Sequence, residues 1–269
     1  MSVSRKIVSV FLALTLAAGL SGLVGCQQSG FTGNGPLHLV TANTLTIGSD
    51  CDYPPFISMD GAQPQGFEYE LMTAIAADMG LTLVYLPPQN FDTLVASVQG
   101  QGKMDLAVSS MTINPERQQS VNFCTPYFDS NQAVVTLKTS TYTSVNDLAG
   151  KVVGAQSGTT GMDWAKENIP GATVKGYNQT SEGLAALRAG EIQALIFDEP
   201  VASAQVAGSY NDCQVMQVIA TGEQYGFAVS KDNPALEAAV NTSLQHMFDN
   251  GTYDRLFKKY FPHMTPTVH

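Results

Sequence analysis

The chain has 269 residues, 44% of them hydrophobic, and its 13 lysines and arginines against 23 aspartates and glutamates give a formal net charge of −10. That is enough apolar material for one large core or two smaller ones. An acidic balance of this size argues against nucleic acid as a partner, because phosphates repel it and few cations are present to meet them. Four histidines (His38, His246, His263, His269) show no metal-ligand spacing and no Cys-x-x-Cys occurs, so neither a metal nor a cofactor is implied.

At the start, Arg5-Lys6 precedes an apolar run from Ile7 to Ala18. A charged beginning and an apolar stretch too short to span a bilayer read as an export signal. Leu23-Val24-Gly25-Cys26 then resembles the lipobox of bacterial lipoproteins, which implies a signal peptide over 1–25, lipidation of Cys26, and a protein held outside the cytoplasm at the cell membrane. Without residues 1–25, which carry two cations and no acid, the net charge would fall from −10 to −12. Gln27 to Pro36 is rich in Gly, Ser and Asn without apolar periodicity, so 26–40 is expected to be a flexible tether.

Leu45 and Ile47 alternate as a strand, and from Glu68 the residues Leu71, Met72, Ile75 and Met79 form a helical stripe that stops at Gly80. Leu81 to Leu86 is the next strand. Asn90 is placed to cap a helix with Phe91, Leu94, Val95 and Val98 on one face, and Met104 to Val108 is a strand again. A second half repeats this order: strand Val152 to Ala155, helix from about Thr160 to Asn168, strand Ala172 to Gly176, helix Ser181 to Ala189, strand Ile192 to Phe197. Alternation of this kind implies an α/β fold with mainly parallel sheets. Asp232-Asn233-Pro234 opens a helix striped by Leu236, Val240, Leu244 and Met247, which Asn250-Gly251 ends before a last helix from Thr252 to Tyr260. So short a tail most simply folds back on the first half. The expectation is one lobe from 41–127 and 226–269, a second from 128–225, and hinge segments near 127–130 and 223–226.

The run Asp105 to Arg117 carries the chemistry. An apolar strand ends in Ser109, Ser110 and Thr112, followed by Arg117, one of three arginines outside the leader. Hydroxyls and a planar guanidinium suit a carboxylate, although a solvated turn is the plain alternative. Ligands of open α/β sheets bind off the carboxyl ends of strands. Polar groups expected there are Asp50, Tyr53, Glu68, Phe91, Ser109, Ser110, Thr112 and Arg117 from the first half, and Gln156 to Gly161 with Asp198 from the second. Arg117 for a carboxylate and Asp198 for an ammonium make an amino-acid clamp. Cys51 and Cys124 both fall in loops near that cleft and are the expected pair if a disulfide forms, leaving Cys213 free.

Gly48-Ser49-Asp50-x-x-Tyr53-Pro54-Pro55-Phe56, Gly66-Phe67-Glu68, the Ser109 to Arg117 run, Phe123-x-x-Pro126-Tyr127, Ser157-Gly158-Thr159-Thr160, Asp198-Glu199 and Asn250-Gly251-Thr252-Tyr253 occur in that order. With them the chain resembles the family 3 solute-binding proteins of bacterial ABC importers for polar amino acids. The resemblance implies a two-lobed periplasmic-binding-protein fold of type II, with two mainly parallel sheets joined by two hinge strands. It further implies that Arg117, Thr112 and the backbone at Ser110 and Thr160 hold the ligand carboxylate, with Thr159 and Thr160 beginning a helix. Asp198 and the Ser110 carbonyl would hold the ammonium, Tyr53 and Phe91 would sandwich the side chain, and Asp50 and Glu68 would face its polar end. The plainer roles are helix caps for Asp50 or Glu68 and core packing for Phe91. Gln156 stands where glutamine-specific members can carry Lys. Partners implied are a free amino acid, a permease and its ATPase, with the chain itself a monomer.

An enzyme of the cyclohexadienyl-dehydratase kind or a sensory lobe would share the fold. No Gly-x-Ser-x-Gly, His-Glu-x-x-His or Walker loop is present, so a binding role is expected rather than catalysis. The acids Asp50 and Glu68 favour a basic, arginine-like ligand; glutamine and cystine are the alternatives.

Overall fold

A computed structural model describes residues 37–268 except Gln101. The expected leader over 1–25, Cys26 and most of the tether lie outside these residues. Among the described residues no helix is long and apolar enough to cross a membrane.

The first half opens with β1 (Thr44–Gly48), buried from Leu45 onward. The short strands β2 (Asp52–Tyr53), β3 (Ile57–Asp60) and β4 (Gln63–Gln65) form a small antiparallel sheet of their own. Helix α1 (Phe67–Asp78) buries Phe67, Leu71, Met72 and Ile75 on one face. It is followed by Gly80 at φ 69°, the left-handed ending that glycine adopts without strain. β5 (Thr82–Tyr85) comes next. Where spacing predicts one helix capped by Asn90, the chain instead makes a 3₁₀ turn at Phe91–Thr93 and then α2 (Leu94–Val98), and the Asn90 side chain makes no capping bond. β6 (Leu106–Ala107), α3 (Pro115–Ser120) and β7 (Asn122–Phe123) complete this half. Asn114 caps α3 by accepting from the Arg117 backbone N–H at 2.8 Å, which fixes where the arginine begins.

The chain then enters the second half along β8 (Phe128–Leu137), ten residues long. There follow β9 (Val152–Gln156), α4 (Thr160–Asn168), β10 (Thr173–Tyr177), α5 (Thr180–Arg188), β11 (Ala194–Asp198) and α6 (Glu199–Ala207). It returns along β12 (Cys213–Tyr225) and ends with β13 (Ala228–Val229), α7 (Pro234–Asp249) and α8 (Thr252–Tyr260).

The two halves have matching sheets, ordered β5-β1-β6-β13-β7 and β10-β9-β11-β8-β12. In each, four of five strands point the same way and one opposes them: β13 runs antiparallel to β6 and β7, and β8 runs antiparallel to β11 and β12. In both cases the reversed strand is the one by which the chain has just arrived from the other half. Entry from the opposite side sets the direction. β8 and β12 pair from Leu137↔Cys213 to Phe128↔Tyr225, so both crossings run side by side. Phe56, Phe67, Phe128, Tyr225, Phe257 and Phe261 pack as a buried aromatic group at the base of those crossings.

The expected disulfide is not formed. Cys51, Cys124 and Cys213 are all free thiols, and all are buried. Cys51 follows β1 and Cys124 follows β7, strands that β6 and β13 separate in the sheet. Burial pushes the Cys51 thiol up to about 11, so it is protonated and unreactive at neutral pH.

Candidate functional site

The carboxyl ends of β1, β6, β9 and β11 meet at one cleft. It is lined by Asp50, Tyr53, Phe91, Ser109, Ser110, Thr112, Arg117, Gln156, Thr159, Thr160 and Asp198. All eleven were singled out from the sequence, and they come together from both halves of the fold. Glu68 does not line it.

Asp50 is 2% exposed, and its carboxylate accepts from the Ser109 hydroxyl at 2.6 Å and from the Gln156 amide at 2.8 Å across the cleft. Burial raises its pKa against these hydrogen bonds. Arg117 is half-buried, with its guanidinium carbon 5.3 Å from the centroid of the Phe91 ring. It donates to the carbonyl of Thr112 at 2.6 Å and, across the cleft, to that of Gly158 at 2.9 Å. Loss of water lowers its pKa, opposed by the charges of Asp198 and Glu223.

Gly158 has φ 76°, and a Cβ there would lie 2.7 Å from the Asp92 Cβ of the other half. Only glycine fits this approach. Thr159 caps α4, accepting from Met162 N–H at 3.2 Å and donating to the Gln156 carbonyl at 2.7 Å. The N-terminus of α4 thus faces the cleft, where its N–H groups favour an anion.

Asp198 ends β11 in the capping position of α6 but makes no side-chain capping bond. Its carboxylate accepts instead from the Tyr225 hydroxyl at 2.6 Å and from the Gln132 amide. Burial, and then the nearby Glu223, push its pKa up to about 7. Its backbone N–H donates to the Tyr53 hydroxyl at 3.1 Å, a further bond between the halves. Ser181 N–H to Asp52 at 2.9 Å adds another. With these contacts made, the cavity measures about 20 Å³, room for about one water. The lobes are closed on each other.

Glu68, expected at the side-chain end of a ligand, is fully buried one layer behind the cleft. It accepts from the Ser110 backbone N–H at 2.7 Å, the Ser110 hydroxyl at 3.1 Å, and the Tyr127 hydroxyl. Ser110 is at φ 48°, an unusual conformation for a residue with a side chain, and the Glu68 carboxylate secures both of its donors there. The reason for the correction is position: Glu68 is in the first turn of α1, whose buried face packs under the Ser110 loop rather than beside it. Burial pushes its pKa up to about 7.

Three neighbours were not anticipated. Gln132 on β8 and Tyr225 on β12 hold Asp198, and Glu223 on β12 accepts from Thr112 and Thr160 hydroxyls. Gln132 is 0% exposed and sits where the polar start of β8, Asp129 to Asn131, gives way to the apolar run Ala133 to Val135.

A guanidinium at one end, a buried carboxylate at the other, and aromatic walls between suit a small zwitterion. The model of the bacterial extracellular solute-binding proteins, family 3, matches residues 45–263. An L-cystine-binding protein of Escherichia coli is 30% identical, with 96% of this chain and 95% of that one covered. The same organism's ABC transporter arginine-binding protein 1 is 31% identical over 82% of this chain and 92% of its own length. The solved structure of an ancestral arginine-binding protein bound to arginine superposes with a TM-score of 0.77 at 35% identity, covering 81% of this chain and 98% of that one.

Proposed function

Because the chain belongs to the bacterial extracellular solute-binding proteins, family 3, we propose that it is the substrate-binding component of an amino-acid ABC importer and captures a basic, arginine-like amino acid by closing its two lobes. The family and the relatives named above bind solutes rather than transform them. The lobes in this reading are 41–127 with 226–269, and 128–225, turning about 127–130 and 223–226.

The charge count in the cleft carries the ligand reading. One guanidinium, Arg117, faces the buried carboxylates Asp50 and Asp198. A bound amino acid presents its carboxylate to Arg117, Thr112 and the Thr160 N–H, the Ser110 N–H being held by Glu68, and its ammonium to Asp198 and the Ser110 carbonyl. Asp50 is then left over, held by Ser109 and Gln156, for a cation lying between Tyr53 and Phe91. Likeness to proteins named for arginine supports the same choice.

Calorimetric titration tests it. Arginine should bind first, lysine or histidine next, and glutamine at least about tenfold more weakly, a gap of about 1.4 kcal/mol. Glutamine or cystine binding more tightly than arginine would sink the basic-ligand claim and leave the transport role standing.

For location, the reading is an exported lipoprotein that loses 1–25, carries lipid on Cys26, and delivers ligand to a membrane permease with its ATPase. The charged start, apolar run and Leu23 to Cys26 motif support it. Radiolabelled palmitate should enter the wild type and not Cys26→Ser.

A further inference from the structure

We propose that Glu223 is an intramolecular carboxylate that competes with the ligand for the cleft's hydroxyl donors, latching the lobes shut and thereby setting the affinity. Glu223 is on β12, one of the two strands that run between the halves. Its Oε2 accepts from the Thr112 hydroxyl at 2.7 Å and from the Thr160 hydroxyl at 2.8 Å. Thr112 follows β6 in the first half, and Thr160 is the first residue of α4 in the second. One oxygen therefore ties both halves to the connecting strand.

A hydroxyl has a single proton to give. Each of these threonines has committed it to Glu223, and Arg117 has committed two donors to the carbonyls of Thr112 and Gly158. The Gln132 amide faces both Glu223 oxygens at 3.2 Å, holding the carboxylate in place. Hydroxyl donors aimed at an ionised carboxylate make stronger bonds than neutral pairs. The backbone guides the arrangement, since Thr112 bridges to Tyr225 and Ile113 N–H donates to the Gln224 carbonyl at 2.8 Å, laying the Thr112 segment alongside Glu223.

The chemistry of Glu223 here is that of a ligand carboxylate supplied by the chain. In this closed arrangement about 20 Å³ remains, too little for any amino acid. Entry of a ligand requires the latch to release. Apparent affinity then falls by the fraction of molecules that are unlatched, so removing Glu223 should tighten binding.

The affinity arm of the test rests on the amino-acid reading; the shape arm does not. The full chain would be unfolded, dialysed and refolded to remove carried-over amino acid, then measured by small-angle X-ray scattering and titrated with L-arginine. Glu223→Ala should give a larger radius of gyration than wild type without ligand, and a dissociation constant lower by about threefold or more. Glu223→Gln keeps the side-chain size with a weaker, neutral acceptor, so it should move both readouts the same way by less. Should Glu223→Ala fail to refold, Glu223→Gln alone decides. An unchanged radius, or arginine binding equal to or weaker than wild type in the folded variant, overturns the latch. If wild type binds no amino acid, the ligand reading falls, and the scattering comparison still tests the latch.

Discussion

The Arg117 guanidinium lies over Phe91 while donating one N–H to a carbonyl in each half, which leaves other N–H donors of its planar fork for a ligand carboxylate. Arg117→Ala should leave a folded chain whose amino-acid binding is weaker by about 2 to 5 kcal/mol, the cost of a buried unmatched carboxylate, and Arg117→Lys should fail too. Binding within threefold of wild type by titration would overturn the carboxylate role. Asp198 gives a pH dependence. Its pKa, pushed up to about 7 by burial and Glu223, leaves much of it protonated below neutrality, whereas an ammonium ligand requires the charged form. Affinity should rise with pH up to about 7, by up to about tenfold per unit well below that, and then level off. A flat dissociation constant between about pH 5.5 and 8 would contradict it. Glu68 acts on stability instead. Its folded pKa of about 7 lies above the ordinary 4.5, so the folded state holds the proton more tightly. Stability from this group is complete below about 4.5 and is lost as pH rises through about 7. Denaturant titrations should show that loss in wild type and less of it in Glu68→Gln.

Among the elements, the loop from Gly158 into α4 has the least room. A methyl group at 158 would meet both the Cβ and the Cα of Asp92, and φ 76° disfavours any side chain there by about 1 kcal/mol. Gly158→Ala should therefore hold the lobes apart and weaken arginine binding about tenfold or more while the melting temperature changes little; unaltered affinity would show that the approach is not needed. The helices were legible because their apolar stripes are clean: Leu71, Met72 and Ile75 in α1, and Leu236, Val240, Leu244 and Met247 in α7. The small sheet β2-β3-β4 was not legible, since three short segments containing Tyr53, Asp60 and Pro64 show neither period. The cleft residues could be read because they terminate strands or open helices, where the fold class puts ligands. Gln132 and Glu223 escaped because they lie within the connecting strands, and Glu68 was misplaced because a helix's first turn can face a ligand or the layer beneath it.

At the scale of the whole molecule, two strands join the lobes, and side-chain and loop contacts such as Thr112 to Glu223, Arg117 to Gly158 and Gln156 to Asp50 close them, so ligand and latch draw on the same motion. Arginine should therefore compact the wild type only slightly and Glu223→Ala markedly, measured by scattering at saturating ligand. Equal compaction in both would detach the latch from closure. Saturation at about a hundred times the dissociation constant should also stabilise the fold by about 2.7 kcal/mol, visible as a higher melting temperature.

The reversed strand in the first sheet bears on the order of synthesis. β6 pairs with β13, whose residues 228 and 229 follow the entire second half. Until about five-sixths of the chain has been made, β6 has an open edge, β7 has no partner strand and α7 and α8 are missing, so the first sheet cannot be completed early. Non-local pairing of this kind folds slowly. If the chain is exported as proposed, such a delay keeps it open for passage through the membrane, because the strand that joins β6 to β7 arrives late.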